Sequence, residues 1–294
     1  MTTLTTYAIV GKKEDVSSSI ANISPSATPF QTMIKSEKVS ARNFDWLEDD
    51  LRASSAAGLV EGADASMTAV SQPTSRSNVT QIIGESFQVS ATSDAVATHG
   101  RAKSTAYNLA KVLKQVKKDV EKSMCGVSQA AVNTNAGTAR KMASIDQQIS
   151  TTVDAGANST DPLTESKLLE LAQTCYTNGS DPSVLMIKPA DSLIIGGFAS
   201  ATGRERDIGS SQTLVNTISV LVTAFGSFKV VLNRENLSTN AYLIDPSMFK
   251  QCVLRPFSRT LLAKTGDSDS HMVVGELSVK HSSFADSGMI TGLS

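Results

Sequence analysis

The sequence is short of what catalysts, metalloproteins and membrane proteins need. Histidine occurs three times in 294 residues (His99, His271, His281), so candidate general bases are few. The three cysteines (Cys125, Cys175, Cys252) are far apart and form no CxxC pair. That gives neither a zinc frame nor a disulfide frame, and reduced buried thiols are expected. Aromatic residues make up 5%, so packing must come from Val, Leu, Ile, Ala and Met. Charged residues, at 19%, fall below the usual ~25%. The formal net charge of −1 lacks the basic excess of a DNA-coating protein, and it lets copies of the chain pack densely. No apolar run approaches the ~20 residues that cross a bilayer. MTTLTTYAIVGKKEDV has neither the basic start nor the apolar core of a signal peptide. A soluble protein folded in a reducing cytoplasm is the expectation.

Active-site motifs are missing too. The nearest approach to a phosphate loop, Gly197 to Arg204, has the wrong spacing and no lysine. No GxGxxG follows a strand, and neither GxSxG nor HExxH occurs. What remains is a Cys252–His271 pairing, the acidic run Glu48-Asp49-Asp50, and the turn Asp267 to His271. The last two lack the length and spacing of a metal loop and read as solvated turns. No catalytic, cofactor or metal residue is assigned, and an enzyme is not expected.

The length allows two compact lobes. Residues 1–42 are polar, with Pro25 and Pro29 breaking any helix in SPSATPF, a short helix over 13–23, and Ile20, Ile23, Phe30 and Ile34 as anchors. FDWLEDDL (Phe44 to Leu51) and VTQIIGESFQVS (Val79 to Ser90) carry strand alternation and predict the two limbs of a long hairpin. Its tip, Arg52 to Asn78, is built mostly of Ala, Ser, Thr and Gly; from Ala53 on it carries three charges (Glu61, Asp64, Arg76) and no aromatic residue. A loop beyond ~15 residues with no structure of its own is either disordered or laid on something other than its own domain, and the strand-like limbs that pin its base favour the second.

RAKSTAYNLAKVLKQVKKDVEKSM predicts a helix over 101–124 with one apolar stripe: Leu109, Val112, Leu113, Val116, Val120 and Met124. Lys111, Lys114, Lys117, Lys118 and Lys122 take the other side, and Gly126 stops the helix. Such a helix, ~35 Å long, must lie across a sheet or bundle. Its basic side reads as a solvated face, or as a contact for acidic neighbours or a polyanion. A strand is expected at 143–153. Thr164 is an N-cap, with Leu163 and Leu168 as a staple and Gly179 as terminator. Strand 184–187, a helix opened by Pro189, a polar loop at 199–212, a hairpin turning at Gly226 and strand 241–244 describe an α/β lobe. From Phe249 on, CVLRPF, SRTLLAKT and HMVVGELSVKH are strand candidates.

This order of parts resembles the major capsid proteins of tailed double-stranded DNA bacteriophages, which share the HK97-type fold. One branch of that family is similar over nearly the full length, through GKKEDVSSSIANISPSATPF, FDWLEDDL, LVEGADA, RSNVTQIIGESFQVS and SRTLLAKTGDSDSHMVVGELSVKHSSFADSGMI. The resemblance implies an α+β fold: an N-terminal arm at 1–42, an extended loop at 43–97, and a peripheral domain at 98–157 and 247–294 carrying the spine helix. An α/β axial domain occupies 158–246. It implies self-assembly as hexamers and pentamers into an icosahedral shell around the phage genome, in a virion assembled in the host cytoplasm. Partners would be further copies of the chain, a portal protein, scaffolding and cement or decoration proteins, and packaged double-stranded DNA by non-specific contact, with no membrane. The tip would be ordered by the next subunit, with Trp46, Glu61, Arg76 and Asn78 as inter-subunit contacts.

One departure matters. Some relatives link subunits through a lysine in the extended loop, but none occurs here between Lys38 and Lys103, so a non-covalent shell is expected. The arm-like motif starts almost at Met1, and no cleaved leading segment is expected. The rival readings are an encapsulin-like nanocompartment shell, a tail or neck protein, and an unrecognised soluble enzyme.

Overall fold

The computed structural model describes residues 27–52, 54, 56, 58, 61, 62, 64, 70–96, 103–133, 137–156, 161–201, 220–264 and 266–294. The 13–23 helix, Ile20, Ile23 and most of the 199–212 loop lie outside them.

The helix α3 (Ser104–Cys125) is the central element. Val112, Val116, Val120 and Met124 recur at helical spacing and are buried, with Leu109 half-buried beside them. Leu113 is a correction. At 47% exposure it lies outside the stripe, because a 100° step per residue carries it off the Val112–Val116–Val120 line. At its last turn the helix is enclosed on more sides, and Glu121 and Cys125 are buried as well. Gly126 ends it with a right-handed φ of −99°. A Cβ there would sit 2.2 Å from the Glu235 carbonyl oxygen, so close approach, and not a left-handed cap, requires the glycine.

This helix packs against β4 (Gln81–Ser90) and β11 (Ser268–His281) in a four-stranded sheet of order β1-β10-β11-β4. β1 (Lys35–Lys38) runs parallel to β10 (Phe249–Leu261), and the other pairs are antiparallel. CVLRPF and SRTLLAKT form parts of one strand, β10, whose register slips around Pro256. Proline is accepted there because it has no ladder donor to lose at a bulge. Phe30, Ile83, Val273, Leu277 and Val279 fill the space between helix and sheet.

The second sheet has six strands in the order β5-β12-β9-β6-β8-β7. These are β5 (Thr151–Asp154), β6 (Val184–Ile187), β7 (Val220–Thr223), β8 (Gly226–Leu232), β9 (Ala241–Ile244) and β12 (Gly288–Thr291). VLMI and AYLI, wholly apolar, are the buried middle strands. α4 (Glu165–Thr177) covers β5 and β12, and α5 (Asp191–Ala201) follows β6. Thr164 caps α4 by accepting from Lys167 N, Leu163 and Leu168 are both buried, and Gly179 takes φ +83°. β5 and β12 come from outside 158–246, one from each flank.

Three local expectations change. Pro29 opens α1 (Pro29–Met33) at its first position, where the missing N–H costs nothing. Of 143–153, only the end is strand, and Ile145–Gln147 is a 3₁₀ turn. The partner of β2 (Asn43–Glu48) is β3 (Thr74–Val79), while β4 joins the main sheet. Thr80, buried and donating to Glu276 Oε1 at 2.7 Å, separates β3 from β4. α2 (Ala91–Ala95), capped by Ser90, was not anticipated.

Candidate functional site

Among the described residues, β2 and β3 form a two-stranded ribbon whose backbone ladder extends to no other strand. Period-2 alternation decides which side meets the body. Trp46 and Glu48 face inward at 8% exposure each, and Leu47 faces outward at 70%. Trp46 stacks on Phe44 at 5.8 Å between centroids and meets Phe284 at 6.2 Å. The Lys280 ammonium lies 5.7 Å from its ring. Glu48 Oε1 accepts from Phe284 N at 2.7 Å and Ser283 Oγ at 3.0 Å, while Oε2 accepts from Arg76 Nε at 2.7 Å. The Arg76 guanidinium sits 4.4 Å above the Phe284 ring. Burial by itself would raise the Glu48 pKa. The bonds from Arg76, Ser283 and Phe284 N outweigh it and hold the carboxyl below its ordinary value.

The inner end of the ribbon is anchored separately. Asn78 Nδ2 donates to Val279 O at 2.6 Å and Ala143 O at 3.2 Å, and Oδ1 accepts from Ala143 N at 2.8 Å. Beside it, Glu276 accepts from Thr80 Oγ1, Arg140 Nη2 and Arg255 Nε. Trp46, Arg76 and Asn78 are thus all engaged with their own body, and Asn78, at 0% exposure, cannot meet a neighbour. Of the four expected inter-subunit residues only Glu61 stands free of the body, exposed in the tip. Every described residue from 49 to 73 is exposed, including Leu51 at 99% and Val70 at 86%.

On α3, Lys111, Lys114, Lys117 and Lys122 are exposed, whereas Lys118 pairs with Glu235 at 3.3 Å. Glu121 ties the arm to this helix. Oε1 accepts from Phe30 N and Asn233 Nδ2, both at 2.8 Å, and Oε2 from Gln31 N at 3.0 Å. Burial dominates there and pushes the carboxyl pKa up despite those bonds. Sequence reasoning missed Glu48 and Glu121. Glu48 was legible as the third inward position of the series Phe44, Trp46, Glu48, but reading it as the head of an acidic run hid that.

The remaining chemical candidates do not converge. Cys252 pairs with Ser278 and His271 with Leu261, so ladder positions about 24 Å apart separate the two. All three thiols are free and buried, and burial pushes Cys175 to about 11 and Cys252 to about 12. Among the described residues no His, Cys, Asp or Glu cluster could hold a metal ion, and no helix is long and apolar enough to cross a membrane.

Comparison with known proteins agrees with this geometry. The chain is 26% identical to the major capsid protein of Escherichia phage Phieco32, over 98% of this chain and 96% of that one. The capsid structure of the cyanophage P-SCSP1u shares the fold at a TM-score of 0.66 and 9% identity, covering 96% of this chain and 93% of that one. The SrpI encapsulin of Synechococcus elongatus PCC 7942 shares it at 0.60 and 9%, covering 96% and 92%. The family of SU10 major capsid proteins matches residues 1–294. The chain belongs to that family: it is a phage major capsid protein with the HK97-type fold, a structural protein of the virion.

Proposed function

We propose that the chain tiles an icosahedral shell as hexamers and pentamers around a packaged phage genome, without covalent cross-links, after assembly in the host cytoplasm. The four-stranded sheet and α3 serve as the peripheral domain, with α3 as spine helix, and the six-stranded sheet as the axial domain. The ribbon β2–β3 and residues 49–73 serve as the extended loop, and the segment before β1 as the arm. The observation that carries this reading is the exposure of every described residue from 49 to 73, apolar Leu51 and Val70 included. A surface of this kind, extended from a pinned base, fits a partner copy. One such loop per subunit makes contacts multivalent, and each linked pair gains on the order of 10²–10⁴ in avidity. Portal, scaffolding and cement proteins are further partners, and the exposed lysines of α3 make non-specific contact with the genome.

Imaging of the chain expressed alone, by negative stain, tests the reading. Closed shells are expected. A soluble monomer whose 49–73 segment is protected from exchange would overturn it. Nucleic acid inside particles from infected cells separates a capsid from a cargo-loaded nanocompartment.

A further inference from the structure

A ribbon of two strands is marginal on its own, and its direction must be set by whatever holds it. Here it is held at two separated points. The first is at the base, where Asn43 pairs with Val79 and where Asn78 and Thr80 bond to Ala143, Val279 and Glu276. The second is at the outer end, where Glu48 pairs with Thr74 in the last rung and bonds to Ser283 and Phe284. Two fixed points define a direction, whereas one defines only a pivot. Six strand residues span about 20 Å, so a tilt of about 10° at the base would displace the loop exit by about 3–4 Å. That is enough to lose a hydrogen bond or a side-chain pocket on a neighbour.

The outer anchor sits on a stiff part of the body. Ser283 and Phe284 lie in the corner between β11 and β12, so they connect the four-stranded sheet to the six-stranded one. The Phe284 carbonyl accepts from both Ser150 N and Ser150 Oγ at 2.9 Å, and its ring sits in a row with Trp46 and His281. Arg76 closes the arrangement from β3, bonding Glu48 on one side and covering Phe284 on the other.

We propose that the Glu48–Arg76 pair, closed over Phe284, is the positioning clamp that sets the direction in which the extended loop leaves its subunit, and hence the angle between neighbouring tiles. This rests on the shell reading above. Neither residue touches a neighbour in this scheme; they act through the loop they aim. The clamp draws on both strands of the ribbon: without Arg76 the outer end of β3 comes loose while Glu48 still ties β2 to Ser283 and Phe284, and the base stays fixed.

The test uses the full chain with Arg76→Met, Arg76→Lys and Glu48→Gln. Arg76 is part-exposed, so its replacement leaves the subunit folded even where Glu48→Gln does not. On the free subunit, hydrogen exchange at the outer rungs, 46–48 and 74–76, is expected to quicken in Arg76→Met while the base rung, α3 and the two large sheets stay protected. In assembly, the yield of regular shells is expected to fall about tenfold and the diameters to spread, because avidity is lost when geometry forbids simultaneous engagement. Arg76→Lys keeps the charge and restores part of the yield. Unchanged exchange in the ribbon, or shells of wild-type yield and diameter from Arg76→Met, would overturn the clamp. If the wild-type chain forms no shells at all, the shell reading fails, and the exchange measurement still decides whether the clamp exists.

Discussion

His281 is a titratable group enclosed where charge is unwelcome. Its ring lies 4.1 Å from Phe249 at an interplanar angle of 3° and 6.0 Å from Phe284. Nδ1 is 3.0 Å from the Gln148 carbonyl oxygen, and Nε2 has no partner. Burial drives the pKa down from 6.5 to about 4, against the opposing pull of the Gln148 carbonyl, Glu48 and Asp245. Between those values the unfolded chain binds a proton that the folded chain refuses. Stability is therefore full above pH 6.5 and falls toward pH 4, by roughly 3 kcal/mol across the whole window. Glu121, Asp191 and Asp286, whose pKa values burial raises, oppose that slope, but a single substitution leaves them in place. Denaturant midpoints at pH 7, 6 and 5 are expected to fall less steeply in His281→Phe than in the wild type. Parallel slopes would show that this histidine does not titrate on unfolding. Two glycines give a contrast at the same scale. A Cβ on Gly84 meets the Val273 backbone oxygen at 2.5 Å, while one on Gly275 meets the Phe257 ring at 2.6 Å. The ring is 37% exposed and can swing away, whereas the β11 backbone is fixed in its ladder. Gly84→Ala is expected to cost about 2–3 kcal/mol and Gly275→Ala about 1 kcal/mol or less, read by denaturant midpoints.

At the scale of the element, α3 carries both a stripe and a junction. Val116 is 2% exposed in the middle of the stripe, so Val116→Asp forces an unpaired charge into the core and is expected to abolish soluble folded subunits. A variant with wild-type circular dichroism would contradict the packing. Glu121→Ala strips acceptors from Phe30 N, Gln31 N and Asn233 Nδ2 together. A loss of about 2–4 kcal/mol is expected, with α1 the first element to lose exchange protection. The elements legible in the sequence were those whose covering surface is local or whose period is long. These include α3 from its repeat, α4 from Thr164 and its staple, and β6 and β9 from unbroken apolar runs. β3 was illegible because TSRSNV has no apolar alternation: its inward residues, Arg76 and Asn78, reach the body with polar groups. Pro29 was misread because the same ring that breaks a helix interior suits its first position. The ribbon's root residues Trp46, Arg76 and Asn78, expected at a neighbour, meet their own body instead. Alternation tells which side chains face inward. It does not tell whether the surface that covers them belongs to the same chain or to the next one.

For the whole molecule the question is what keeps shell subunits together. A lysine–asparagine bond between subunits needs an amine in the extended loop, and none occurs between Lys38 and Lys103. Arg52 and Arg76 do not substitute, because a guanidinium stays protonated and is a poor nucleophile. Disulfides are closed off as well, since Cys125, Cys175 and Cys252 are buried at 0% exposure and held as thiols by burial. On the proposed reading, the shell is held by non-covalent contact repeated many times, which is strong when every loop is engaged and weak for any one subunit. Such a shell withstands dilution but not a reagent that unfolds its tiles. Purified particles boiled in detergent without reductant are expected to run as one band near 31.0 kDa, the mass of the single chain. Bands at multiples of that mass would mean that some other pair of side chains forms the bond, and would move the source of the shell's strength from multivalency to covalent chemistry.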